Sequence, residues 1–166
     1  MFWSDWGAMP KIEPAGMDGS CREVIMQETV SWPNGLTLDL VLDKLYWVDA
    51  KLNTIGCSNL DGSRSRTVLF SRSSLHHPFS ISVFEDLMYW SDWNSHTINQ
   101  ASKFTGTNIT RVTTTSQVKF TPILTGRFKG CETWRSRANG LVHEIRQRTV
   151  IFLPTHQPTE NTLNRP

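Results

Sequence analysis

Leu36, Leu38 and Leu40 alternate with the polar Thr37 and Asp39, the two-residue period of an extended segment with one apolar face. Asp43-Lys44 then interrupts the apolar positions before Leu45-Tyr46-Trp47-Val48, a run of residues that suit a pleated surface. The pair predicts a β-hairpin. A third strand is expected from Asn53 to Leu60, Asp61-Gly62 supplies a turn that tolerates positive φ, and Arg66 to Phe70 forms a fourth strand.

The same pattern recurs at a nearly fixed spacing. Phe2-Trp3-Ser4-Asp5, Tyr46-Trp47-Val48-Asp49 and Tyr89-Trp90-Ser91-Asp92 place an aromatic-Trp-x-Asp tetrad at intervals of 44 and 43 residues. Ile12, Ile55 and Ile98 keep step, as do the turn glycines Gly19, Gly62 and Gly106, and Trp32-Pro33 is answered by His77-Pro78. Several landmarks in one register define a repeat, and four short antiparallel strands in about 43 residues match one blade of a β-propeller. In such a blade the paired rings fill the wedge between neighbours. The Asp accepts backbone N–H bonds from an adjacent turn, because a buried carboxylate must be paired. Trp3, Asp5, Tyr46, Trp47, Asp49, Tyr89, Trp90 and Asp92 are therefore expected to be scaffold residues.

Charge divides the chain in two. Residues 1–115 carry 9 basic and 12 acidic side chains, residues 116–166 carry 8 and 3, and six of the seven tryptophans lie in the first part. A partial propeller over 1–115, with repeats at 1–31, 32–76 and 77–115, is expected to precede an unrelated basic tail over 116–166. The tail lacks the tetrad: near position 133, where a fourth would fall, the chain reads Cys131-Glu132-Thr133-Trp134-Arg135. Its polar, proline-containing end reads as disorder, and the stretch from Leu141 to Phe152 suits a helix or a strand. A splice, intron-derived or frameshifted origin would account for the break.

Candidate chemistry narrows the function classes. The scattered basic residues of the tail accompany no nucleic-acid motif. The sequence holds no GxSxG, HExxH or Cys/His constellation, so no catalytic residue, metal or cofactor is expected. Cys21, Cys57 and Cys131 are odd in number, without CxxC spacing, and indicate neither a zinc site nor a self-contained disulfide framework. Cys57, within a strand, is expected to be a small buried hydrophobe. Asn108-Ile109-Thr110 is a glycosylation sequon. No apolar run reaches the roughly 18 residues of a membrane span, and the N-terminus has no signal-peptide pattern.

Trp3-Ser4-Asp5-Trp6-Gly7, Trp32-Pro33-Asn34-Gly35-Leu36-Thr37-Leu38-Asp39, Leu45 to Leu52, and His77-Pro78-Phe79 with Tyr89-Trp90-Ser91-Asp92 resemble the YWTD (class B) repeats of the low-density lipoprotein receptor family. The resemblance runs from residue 1 to about 115 and implies an all-β, six-bladed propeller, here about three four-stranded blades, ending near Ser116. Six blades need roughly 260 residues, so a fragment is expected, entered partway through a blade.

The resemblance also implies an extracellular, non-catalytic module of an endocytic or signalling receptor, at the plasma membrane and in endosomes. Its neighbours would be EGF-like and ligand-binding cysteine-rich modules, its partners protein ligands, and its attachment to the membrane would lie in other parts of the receptor. Members take up lipoproteins or vitellogenins and release them at endosomal pH, some are Wnt co-receptors, and nidogen-like matrix proteins carry the same propeller. Trp32, Lys51 and His77 stand where lipoprotein receptors have the Trp, Lys and His of the acid-state contact. Asn53 replaces a second His, and an Asn cannot titrate. His76 could substitute for it or be an exposed turn.

Overall fold

The alternating segments fold as antiparallel meanders. The computed structural model describes residues 1–114, 123–125 and 149–151. β1 (Phe2–Asp5) pairs with β2 (Lys11–Pro14). β3 (Pro33–Asp39), β4 (Lys44–Asp49), β5 (Thr54–Asn59) and β6 (Arg66–Phe70) form a four-stranded sheet in sequence order. β7 (Pro78–Phe84), β8 (Leu87–Asp92), β9 (Thr97–Ser102) and β10 (Thr110–Thr114) repeat that order in a second one. The first strand begins at Pro33, three residues before the leucine alternation, and a register shift between Pro33 and Leu36 absorbs the difference.

The first repeat departs from the four-stranded expectation. It holds two strands and one isolated bridge, Ile12 to Met26, at the position where Ile55 pairs with Leu69 in the next repeat. Among the described residues no strand pairs with the outer side of β1. Cys21, in the connection before this bridge, has φ 53° and is disulfide-bonded. The expected basic tail lies outside the described residues, apart from β11 (Ile123–Thr125) and β12 (Thr149–Ile151). These two pair antiparallel, and β11 approaches β3. Among the described residues the four sheets are all antiparallel, and they do not close into a ring.

Successive sheets pack through their first strands, β1 beside β3 and β3 beside β7. The wedges between them are filled by the tetrads in a consistent way, because side chains alternate along a strand. Leu45 and Trp47 face the first sheet, where they join Phe2, Ile12, Met26, Val30 and Leu36. Tyr46 and Val48 face the other way, joining Ile55, Leu69, Leu75, Ile81, Met88 and Trp90. Each Trp thus points back to the preceding sheet and each Tyr or Phe forward to the next. Trp3 and Tyr89, on the two outermost faces, are half-buried, and the Arg22 guanidinium lies 5.3 Å from the Trp3 ring centroid.

Backbone geometry follows the repeat. Gly19, Gly62 and Gly106 have φ of 81°, 80° and 69°, a region that glycine enters without strain. Gly56 lies under the Trp47 ring, which a Cβ at that position would penetrate. Lys103 crosses from the turn after β9 to Asp39 at the end of β3, Nζ to Oδ2 2.6 Å, with both side chains buried. The Tyr46 hydroxyl donates to the Lys103 carbonyl at 3.3 Å, which ties the same two sheets.

Candidate interaction surface

Three of the sequence candidates lie at one end of the sheets, and the scaffold aspartates hold them there. Pro33 pairs with Asp49 and Pro78 with Asp92, so the residues before β3 and β7 sit beside the turns that follow β4 and β8. Asp49 is fully buried. Its carboxylate accepts N–H bonds from Ser31 (2.6 Å), Trp32 (3.1 Å), Lys51 (3.0 Å) and Leu52 (3.0 Å). Four donors compensate the desolvated charge and fix the two segments against each other. Asp92 does the same in the next sheet, accepting from His77 N at 2.8 Å and from Ser95 N and Oγ at 2.9 and 3.0 Å. Asp5 is exposed and, among the described residues, accepts from Gly7 N at 2.9 Å.

Trp32 and Lys51 are brought together. The Lys51 Nζ stands 5.0 Å from the Trp32 ring centroid, a cation–π arrangement on a half-exposed ring (40%). An exposed Trp held by its backbone and covered by a cation is a rigid aromatic contact with little ordering entropy left to lose. His77 belongs to the neighbouring sheet and is stacked on Trp93, with centroids 5.7 Å apart and planes 10° apart. Phe79 lies on Trp93 at 4.1 Å. The two sheets are joined here by the Asn34 amide, which donates to the Pro78 carbonyl at 2.9 Å.

Asn53 serves the backbone. It takes φ 54°, a left-handed conformation that asparagine tolerates, and its amide donates to the Leu75 carbonyl at 2.5 Å. His76 is exposed beside it. Asn108, φ 59°, is exposed in the turn before β10.

Trp93 is the residue that reading by position overlooked. It stands directly after the third tetrad, where the second has Ala50 and the first Trp6, so the repeat itself carried the signal. Cys57 is buried and free, and burial pushes its thiol and the Tyr46 hydroxyl above their ordinary values, which favours the protonated forms. Asp18 and Asp61 are held below the carboxylate range by the hydroxyl and backbone N–H of Ser20 and Ser63, which close their turns.

Among the described residues no group of three or more His, Cys, Asp or Glu side chains could hold a metal ion, and no helix is long and apolar enough to cross a membrane. The family model for the low-density lipoprotein receptor repeat class B matches residues 1–40 and 43–85, half of the chain. The chain belongs to this family. Its class B repeats are 44% identical over 106 residues to the vitellogenin receptor Yl of Drosophila melanogaster, and equally so to the vitellogenin receptor of Solenopsis invicta. Each alignment takes in 64% of this chain but only 5% and 6% of those receptors. The human low-density lipoprotein receptor-related protein 5-like protein is 37% identical over 102 residues, with 61% of this chain and 40% of that protein covered.

Among solved structures, a nidogen/laminin complex matches 61% of this class B repeat chain and 38% of its own, at 31% identity and a TM-score of 0.56. A luciferin-regenerating enzyme matches at 15% identity, with a TM-score of 0.50, over 65% of this chain and 40% of its own; this shows the fold alone. The class B repeat is a non-catalytic module.

Proposed function

We propose that the chain is an extracellular protein-interaction module of a low-density lipoprotein receptor-like endocytic receptor, acting in ligand uptake and acid-dependent ligand release. The observation that carries the reading is the Lys51–Trp32 pair, exposed at the end of the sheets where His77 also lies. The similarity to two vitellogenin receptors supports it. Trp32 supplies an aromatic anchor, Lys51 a cation for an acidic partner, and His77 an imidazole, the side-chain type suited to a response near physiological pH. With Asn53 in place of a second histidine, the acid response is shallower than a two-histidine switch would give. The partners are protein ligands or neighbouring EGF-like and cysteine-rich modules, on the extracellular side of the plasma membrane and in endosomes.

The test is binding of the full chain to a pair of ligand-binding cysteine-rich modules of the family at about pH 7.4 and about pH 5.5, either side of the histidine range. Binding should tighten at the lower pH, weaken about tenfold or more in Trp32→Ala, as expected of an aromatic hot spot, and lose its pH response in His77→Gln. Equal binding at both pH values, unaffected by Trp32→Ala, would refute the proposal. The nidogen match favours a second reading, a matrix protein, and the human relative a third, a Wnt co-receptor-type propeller. Binding to laminin, or to a Wnt-pathway ligand, in place of the cysteine-rich modules would select between them.

A further inference from the structure

We propose that a polar cavity between the β6–β7 connection and the outer strands β9 and β10 is a receptor for one carboxylate side chain of a protein partner. The cavity has a volume of about 180 Å³. Pockets for drug-sized molecules start at about 300 Å³, so this one takes a single side chain and not a cofactor. Neither Trp32 nor Lys51 lines it, and it requires neither an endocytic role nor an acid switch.

The lining is basic and rich in donors. Arg111 lies on β10 directly opposite Asn99 on β9, so the two side chains share a face, and Thr97 lies two residues along the same face. Ser74 and His76 close the cavity from the β6–β7 connection. Among the described residues no carboxylate lines it. The neighbouring Asp92 is already occupied by His77 N, Ser95 N and Ser95 Oγ. Thr97 is committed to Ser95 and Asn99.

What remains uncommitted points to an anion. Among the described residues, the Arg111 guanidinium, the His76 ring and the Ser74 hydroxyl make no hydrogen bond or ion pair. Among the described arginines Arg22 grips Glu13 through two N–H groups and Arg66 donates to the Phe104 carbonyl, whereas Arg64 and Arg72, like Arg111, make no such bond, and of these three only Arg111 lines the cavity. Residues 1–115 carry more acidic than basic groups, yet none reaches Arg111. A guanidinium fork matches the two oxygens of a carboxylate, and the hydroxyl and the second Asn99 N–H add donors around it. The walls fix this geometry, because Thr97 and Asn99 are buried and Ser74 is tied through its backbone N–H to Ser71 and through its carbonyl to Trp90 Nε1.

The experiment is a nuclear magnetic resonance titration of the full isotope-labelled chain with three probes: acetyl-Gly-Glu-Gly-amide, its Gln counterpart, and acetate. The Glu peptide should shift the Ser74 amide and the Asn99 side-chain signals, with the Gln peptide at least tenfold weaker. Arg111→Met should weaken the Glu peptide at least tenfold, Arg111→Lys less, and Ser74→Ala gives an independent loss should the Arg111 variants disturb β10. Equal binding of Glu and Gln peptides overturns the proposal, as does wild-type affinity in both Arg111→Met and Ser74→Ala. Acetate binding without the Glu peptide also overturns it, since the cavity would then hold a free anion and not a partner's side chain.

Discussion

Removing one member of the Asp39–Lys103 pair should loosen the joint between the two four-stranded sheets. At 2.6 Å the two charges attract by roughly 6 kcal/mol at an effective dielectric of about 20. Desolvating each ion costs several kcal/mol, so the intact pair contributes little against an apolar replacement of both. The single variants behave differently. Lys103→Met leaves Asp39 buried, with Oδ1 still accepting from Val41 N and Leu42 N and Oδ2 without its cation. Breaking a buried pair from one side costs about 3–5 kcal/mol, a large share of the roughly 5–15 kcal/mol that a domain has. With a urea slope of about 1.5 kcal/mol/M, the unfolding midpoint should fall by about 2 M or more. Tryptophan fluorescence reports the transition, since Trp47 and Trp90 fill the two wedges. Asp39→Asn should cost a similar amount, while the double variant should be less destabilised than the sum by about 2 kcal/mol. A coupling below about 0.5 kcal/mol, the scatter of independent sites, would show that the pair does not join the sheets.

Two further outcomes follow from the packing and the titration. Gly56→Ala drives a methyl into the Trp47 ring and should cost about 1–3 kcal/mol, read as a lowered urea midpoint together with a red-shifted emission; an unchanged midpoint would mean that the ring has room. Glu13 is buried beneath Arg22, whose two N–H groups reach its oxygens at 3.0 and 2.9 Å and hold its carboxyl below the usual range, with Lys11 adding to the effect. A depressed carboxyl contributes stability that is complete above its unfolded value of about 4.3 and is lost as pH falls through the lower folded value. Arg22 is largely in water, so solvent screening keeps the contribution small. Melting temperatures from about pH 6 to about pH 3 should fall less steeply in Glu13→Gln than in wild type, and parallel curves would remove Glu13 from the acid response.

The strands and the turn glycines were legible because each rests on local rules repeated in register: alternation, positive φ and β propensity; the expectation that the paired rings share one wedge was not met, since Trp47 and Tyr46 enter different cores. The same repetition fixed where Trp32, Lys51 and His77 stand along the chain. It did not disclose that Lys51 covers Trp32 while His77 stacks on Trp93, since those contacts arise where loops of successive strands meet. The Asp39–Lys103 pair was equally hidden: its members are 64 residues apart and occupy different positions in their repeats. The two-stranded first sheet departs from the pattern because Ile12 meets Met26 alone, where a regular blade would carry a full fourth strand. For Asn53 the residue type was read for its missing charge, whereas its left-handed backbone and its bond to Leu75 give it a structural task.

The split orientation of the tetrads means that the unit of sequence and the unit of cohesion are out of phase by half a repeat. One tetrad serves two cores: Trp47 belongs to the wedge before its own sheet and Tyr46 to the wedge after it. Damage to Trp47 should therefore separate the first sheet from the second while leaving the later junction intact, and damage to Tyr46 should do the reverse. Such an array has a stability that is approximately a sum of blade terms and nearest-neighbour junction terms, as in one dimension. Its weakest link is then a joint between blades and not a blade.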